Sequence, residues 1–272
     1  VLVSLDPEHV FEVVATDDRL ILQNDKIDMT YMKVGEQKEY NIFKESLKEI
    51  LLPVNIFQAL KKVLSFVGIR EVIPALRGVC IRKDGVMASD NIRIVRVRLQ
   101  QEIDTELLIP AEGVSRLVEL AEGRILKEVS IVEDKNYLRF VFQDGVVAYI
   151  LLFGLTFPAL ESHVSSVLGQ ELDIPQGFVE GLRRAVVWQS DMEKTIELVI
   201  SKNILCITSQ GLSGAYKQNF ILNTSIEDIR CVVNGGKFLE LCELAQKMYI
   251  NQEVIYLVNV VDNIIYAMMT ME

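Results

Sequence analysis

The feature that most constrains this chain is an internal repeat. Residues 50–67 read "ILLPVNIFQALKKVLSFV" and residues 172–189 read "LDIPQGFVEGLRRAVVWQ". Each is a short apolar strand, a proline that stops it, and an amphipathic helix. In the first helix Ile56, Phe57, Leu60, Val63, Leu64 and Val67 recur at helical spacing on one stripe, with Lys61 and Lys62 opposite. In the second, Phe178, Leu182, Ala185 and Val186 form the stripe, and Arg183 and Arg184 stand where the two lysines stood.

A similar unit recurs inside each half. "LLIPAEGVSRLVELA" (107–121) and "CVVNGGKFLELCELA" (231–245) are again a strand, a turn and a short helix. Period-2 apolar runs follow, bounded by tight-turn residues. They include "VSIVEDKNYLRFVFQDGVVAYILLFG" (129–154), with Asp144-Gly145 as a hairpin turn, and "IELVISKNILCITSQ" (196–210). The stretch before residue 49 reads as strands only, and "DRLILQNDKIDMTYMKVG" (18–35) parallels 136–154 in spacing. The expected fold class is therefore α+β, with repeated βαβββ units and antiparallel sheets backed by pairs of short helices. The expected domains are a partial one at 1–48 holding closing strands only, a complete middle one at 49–165 and a C-terminal one at 166–272.

Half of the 272 residues are hydrophobic, enough for real cores, yet no apolar run approaches the roughly 20 residues that span a bilayer. The opening "VLVSLDPEHV" lacks the basic start and long apolar stretch of a signal peptide; it also lacks an initiator Met, so a true start upstream is an expectation. Cys80, Cys206, Cys231 and Cys242 are scattered in apolar runs with no CxxC pair, so a reduced, cytoplasmic setting without disulfides is expected. The net charge of -10 argues against general affinity for nucleic acid unless basic residues gather on one face.

Catalytic signatures are missing. His9 and His163 have no metal-ligand spacing, and "QGLSGA" (210–215) lacks the G-x-S-x-G spacing of a nucleophile elbow. Neither a G-x-x-x-x-G-K-[ST] nor a G-x-G-x-x-G loop occurs, and the acidic pairs Asp17-Asp18 and Glu133-Asp134 fall at predicted turns. The expectation is a non-enzyme with no cofactor and no metal.

The hairpin segment "IPALRGVCIRKDGVMASDNIRIVRV" (73–97), hinged on Lys83-Asp84-Gly85, carries no chemistry of its own. Together with "GLTFPAL" (154–160), "YAMMTM" (266–271) and the repeat, it resembles the bacterial DNA polymerase III beta subunit, the sliding-clamp family. The resemblance runs from about residue 18 to the end. It departs from the family where Ile92 replaces a His, Asn91 a Gly and Thr270 a Pro; between Val254 and Met268 the pattern reads one strand short.

What the resemblance implies is a clamp whose helices line the concave face of a homo-oligomeric ring around double-stranded DNA. The DNA contacts would be sequence-independent, made by Lys61, Lys62, Arg70, Arg116, Arg183, Arg184, Lys237 and Lys247. Glu112, Glu119, Glu122, Glu180, Glu240 and Glu243 share those helices, so the contact should be feeble and salt-sensitive. The resemblance also implies a greasy groove for linear peptides of DNA polymerase and clamp loader. Its wall would be Leu76, Ser89, Ile92, Arg93, Ile94, Pro158, Met268, Met269 and Met271. The alternative is a clamp-like interaction module or scaffold that keeps the groove but does not close around DNA.

Overall fold

The computed structural model describes residues 12–15, 19–23, 28–32, 47–83, 85–132, 136–189, 194–224 and 226–271. The chain divides into two compact units, Val1–Glu45 and Ser46–Glu272. In the first, β1 (Glu12–Ala15), β2 (Arg19–Gln23) and β3 (Asp28–Met32) form an antiparallel meander. His9 and the Asp17-Asp18 pair lie outside the described residues.

The second unit repeats one βαβββ pattern four times. The first copy is β4 (Leu47–Ile50), α1 (Ile56–Val63), β5 (Gly78–Arg82), β6 (Gly85–Ser89) and β7 (Arg93–Arg98). The second is β8 (Leu107–Pro110), α2 (Ala111–Ala121), β9 (Leu126–Val132), β10 (Tyr137–Phe142) and β11 (Val147–Leu151). The third is β12 (Gln170–Asp173), α3 (Phe178–Val187), β13 (Thr195–Ser201), β14 (Ile204–Gly211) and β15 (Gly214–Ile221). The fourth is β16 (Ile229–Asn234), α4 (Gly235–Leu244), β17 (Lys247–Ile250), β18 (Val254–Asn259) and β19 (Ile264–Met269). The last copy is complete, which corrects the expectation of a missing strand. The hydrophobic Val254–Met268 run is a hairpin whose turn lacks glycine, Asn263 supplying the positive φ of 56° instead.

Each opening strand pairs with the three strands of the neighbouring copy, not with its own. The sheet orders are β11-β10-β9-β4 and β15-β14-β13-β16, with an eight-stranded sheet β12-β17-β18-β19-β7-β6-β5-β8 between them in sequence usage. The join within that long sheet is β7 to β19, antiparallel, from Met268↔Arg93 to Ile264↔Val97. This seam fuses the two expected larger domains into one hydrogen-bonded structure.

Period-2 alternation gives the long sheet two different faces. Val95, Val97, Ile255, Leu257, Ile264, Tyr266 and Met268 share one core with the stripes of all four helices, among them Leu60, Leu117, Leu182 and Leu241. The opposite face carries Cys80, Met87, Ile94, Tyr256, Ile265 and Ala267, and is covered by a strap through Phe157 and Val164. Two arginines pin that strap. Arg96 donates to the Val164 carbonyl at 3.0 Å, and Arg82 donates to the Phe157 carbonyl at 3.2 Å.

Among the four cysteines only Cys206 is partly exposed; Cys80, Cys231 and Cys242 are buried. Burial pushes the Cys80 and Cys231 thiols up to about 12. A thiol reagent applied to the native chain is therefore expected to modify Cys206 first, as read by peptide mass spectrometry. Early labelling of Cys231 would show that the sheet around it opens.

Candidate functional site

The strap and the β6–β7 hairpin leave a groove between them on the outer face. It has a volume of about 190 Å³ and is lined by Ile73, Leu76, Ser89, Asn91, Ile94, Pro158, Leu160, His163 and Met269. Local sequence builds each wall. A 3₁₀ turn, Pro74–Arg77, starts on a proline and rolls Leu76 inward. The Ser89 hydroxyl donates to the Arg93 carbonyl at 2.8 Å and accepts from the Asn91 amide, fixing the hairpin rim, where Asn91 takes φ 66°. Strand alternation then brings Ile94 from β7 and Met269 from β19 to the same floor.

Of the nine residues expected on the groove wall, Leu76, Ser89, Ile94, Pro158 and Met269 line it. The other four do not. Met268 faces the helix-side core and is fully buried there, because it neighbours Met269 on a strand and so points the opposite way. Ile92 packs against that same core. Met271 lies past the end of β19, its amide bonded to the Val232 carbonyl at 2.8 Å. There it borders a larger concavity of about 920 Å³, lined also by Ser201, Asp228, Arg230, Gln252 and Thr270.

Arg93 is the most informative departure. It sits on the helix side of β7 with 5% of its surface exposed. Its guanidinium holds Asp90 at 2.9 Å, pairs with Glu240 of α4, and lies 5.0 Å from the centroid of the Phe66 ring. Lys237, positioned by the Asn234 N-cap of α4, reaches Asp90 at 3.0 Å. These four charged groups clamp the seam from the helix side. Burial works against ionisation of Asp90, but the Arg93 charge and hydrogen bonds from Arg93 and Lys237 outweigh it and hold the carboxyl below its ordinary range.

Sequence reasoning missed Ile73, Asn91, Leu160 and His163. The Phe-Pro segment was the available signal: Leu160 and His163 follow Pro158 at either end of a short turn, the His163 amide donating to the Leu160 carbonyl at 3.1 Å, and reach the groove together.

The basic residues divide as well. Lys61 and Arg183 are exposed and face Glu122 at 3.7 Å and Glu243 at 2.8 Å. Lys62 pairs with Asp262 across the seam at 2.6 Å, and Arg116 with Glu112 one turn back at 2.9 Å. Arg184 is exposed on α3, and Arg70 is exposed in the turn after α1. Lys247 is on strand β17 beside β12, where it pairs with Glu171 at 2.5 Å. Its neighbours Met248 and Ile250 face the helix-side core. Alternation therefore turns Lys247 to the outer face, away from the helices, and removes it from the helix-borne set.

No protein-family profile and no curated protein matches the sequence. Solved structures do match the fold. The DNA polymerase III subunit beta of Pseudomonas aeruginosa aligns over 96% of this chain and 76% of its own at 15% identity, with TM-score 0.76. The beta subunit of Thermotoga maritima aligns over 98% and 77% at 13% identity, with TM-score 0.79. The sliding clamp of Bartonella birtlesii, solved bound to griselimycin, aligns over 96% and 76% at 16% identity, with TM-score 0.76. This chain has the DNA-clamp fold, in a sequence far diverged from those structures.

Proposed function

We propose that this chain is a DNA polymerase processivity clamp. It has no chemistry of its own: copies close around duplex DNA, the helix side faces the phosphates, and the outer groove holds short apolar segments of polymerase and loader. The observation that carries the reading is the two-sidedness of the long sheet. All four helices share one core on one side, while the groove of Leu76, Ile94, Pro158 and Met269 opens on the other. DNA and partner can thus be engaged at once without competing. A cytoplasmic setting follows from replication as the task.

Contact with DNA rests on Lys61, Arg70, Arg183 and Arg184 and is weak, since Lys61 and Arg183 already face carboxylates. Weak, salt-sensitive, backbone-directed contact suits sliding. Those same ion pairs favour a second reading, a clamp-like scaffold that keeps the groove and leaves DNA alone.

Loading the protein on nicked circular DNA and then linearising it separates the two. The clamp stays on the circle in high salt and is lost when the circle is cut. Retention that survives cutting contradicts topological binding, and no retention on the circle leaves only the scaffold.

A further inference from the structure

The outer groove is not uniformly greasy. Ile73, Leu76, Ile94, Pro158, Leu160 and Met269 give it an apolar lining, with no charged side chain among the described residues that line it. Ser89, Asn91 and His163 are its polar members. The Ser89 hydroxyl is already engaged, donating to the Arg93 carbonyl and accepting from the Asn91 amide. The side chains of Asn91, on the hairpin rim, and His163, on the strap, have no hydrogen-bond partner among the described residues. One unengaged polar group thus faces the groove from each wall.

Both are held by backbone with little freedom. Asn91 takes φ 66°, uncommon for a residue other than glycine. The Asp90 carboxylate keeps the turn in that shape, accepting from the Ile92 amide at 3.3 Å and the Arg93 amide at 2.8 Å. His163 directly precedes Val164, whose carbonyl accepts from Arg96 at 3.0 Å. The Gly68 amide donates to the carbonyls of both Leu76 and Ser89, and the Met269 amide to the Ile92 carbonyl, tying rim, wall and floor together. The groove is preformed, and its two polar groups are fixtures of it.

We propose that Asn91 and His163 are specificity-determining residues. They make the groove select a segment that carries an uncharged hydrogen-bonding side chain, a hydroxyl or a carboxamide, beside its apolar anchor. This deepens the proposed function and rests on the groove holding a partner segment. Asn91 is exposed and His163 half-buried in the free chain, so both are within reach of water. A wholly apolar segment laid over them strips that water and returns no hydrogen bond, the costly case. A charged side chain would be buried in a lining that offers it no counter-charge. A hydroxyl or carboxamide both donates and accepts, and so suits a facing carboxamide and imidazole. The groove, at about 190 Å³, is smaller than the pockets of roughly 300 Å³ and more that enclose a drug-sized ligand, so it takes a side chain or two. Apolar contact supplies the affinity, and the two polar groups decide which segment receives it.

The test selects random heptapeptides displayed on phage against the immobilised full chain. Fluorescence anisotropy then compares a selected peptide with analogues carrying leucine or aspartate at its polar position. Wild type is expected to choose serine, threonine, asparagine or glutamine at one fixed distance from an apolar residue. It should bind the leucine and aspartate analogues about tenfold more weakly. A hydroxyl or a carboxamide in the consensus identifies the source, and either supports the proposal. Asn91→Gly removes the carboxamide while accepting the left-handed φ without strain, and His163→Leu makes the strap side apolar. Each should narrow the gap between the selected peptide and its leucine analogue, and the double variant should bind the two alike. A preference that persists in the double variant, or a wild type that takes the leucine analogue equally well, overturns the proposal. If Met269→Asp abolishes binding in that case, the groove itself stands. Selection of no peptide, or of peptides that ignore Met269→Asp, overturns the groove and this proposal together.

Discussion

Replacing Arg93 with alanine is expected to destabilise the folded chain by about 3 kcal/mol, the lower end of the range for breaking a buried pair. Asp90 is 7% exposed and would keep its charge without its nearest partner. Lys237, still 3.0 Å away, limits the loss. Urea unfolding of the full chain measures it. Arg116→Ala, which removes only an exposed pair one helical turn apart, should change stability by no more than about 0.5 kcal/mol. Equal effects from the two substitutions would show that the charged cluster does not hold the seam.

The same cluster sets an acid limit. The Asp90 carboxyl is held below its ordinary range in the folded chain, so the unfolded chain takes up the proton first as pH falls. The stabilisation is complete above the ordinary carboxylate pKa and disappears as pH drops through the lowered one. Wild type should thus lose stability more steeply in acid than Asp90→Asn, and parallel pH profiles would exclude this role.

The second large effect separates two adjacent methionines. Met269→Asp places a charge in the groove floor and should weaken binding of an apolar polymerase-tail peptide by about 2–4 kcal/mol, with the fold retained. Met268→Ala should do the reverse, costing about 2–5 kcal/mol of stability with little change in peptide affinity. Fluorescence anisotropy and thermal unfolding of both variants decide the matter. Unchanged affinity in Met269→Asp would remove the groove from the partner interface.

Arg93 also shows where reading residues one by one fails. A lone arginine among aliphatics needs a head group that is either exposed or paired, and the sequence leaves both open. Which face it took was not legible, because Asp90 lies three residues away but Glu240 arrives from α4 through the fold. Five of the residues that the family resemblance implied, Leu76, Ser89, Ile94, Pro158 and Met269, line one groove, on a proline-started turn, a hairpin rim, the Phe-Pro segment and strand β19. Leu160 and His163 escaped because a strap is placed by what it covers, and its anchors, Arg82 and Arg96, come from distant strands.

Periodicity and turn chemistry act over a few residues, so the sequence by itself determined the repeated strand–helix–strand order, the stripes of α1 and α3 and the absence of a bilayer-length apolar run. Tertiary structure decided which strand edges meet. Any last strand could pair with another, and only packing selected β7 with β19, thereby choosing the side to which Arg93, Met268 and Lys247 point. A strand carries its alternation in its own residues, but which of its two faces becomes the site depends on what is laid across it.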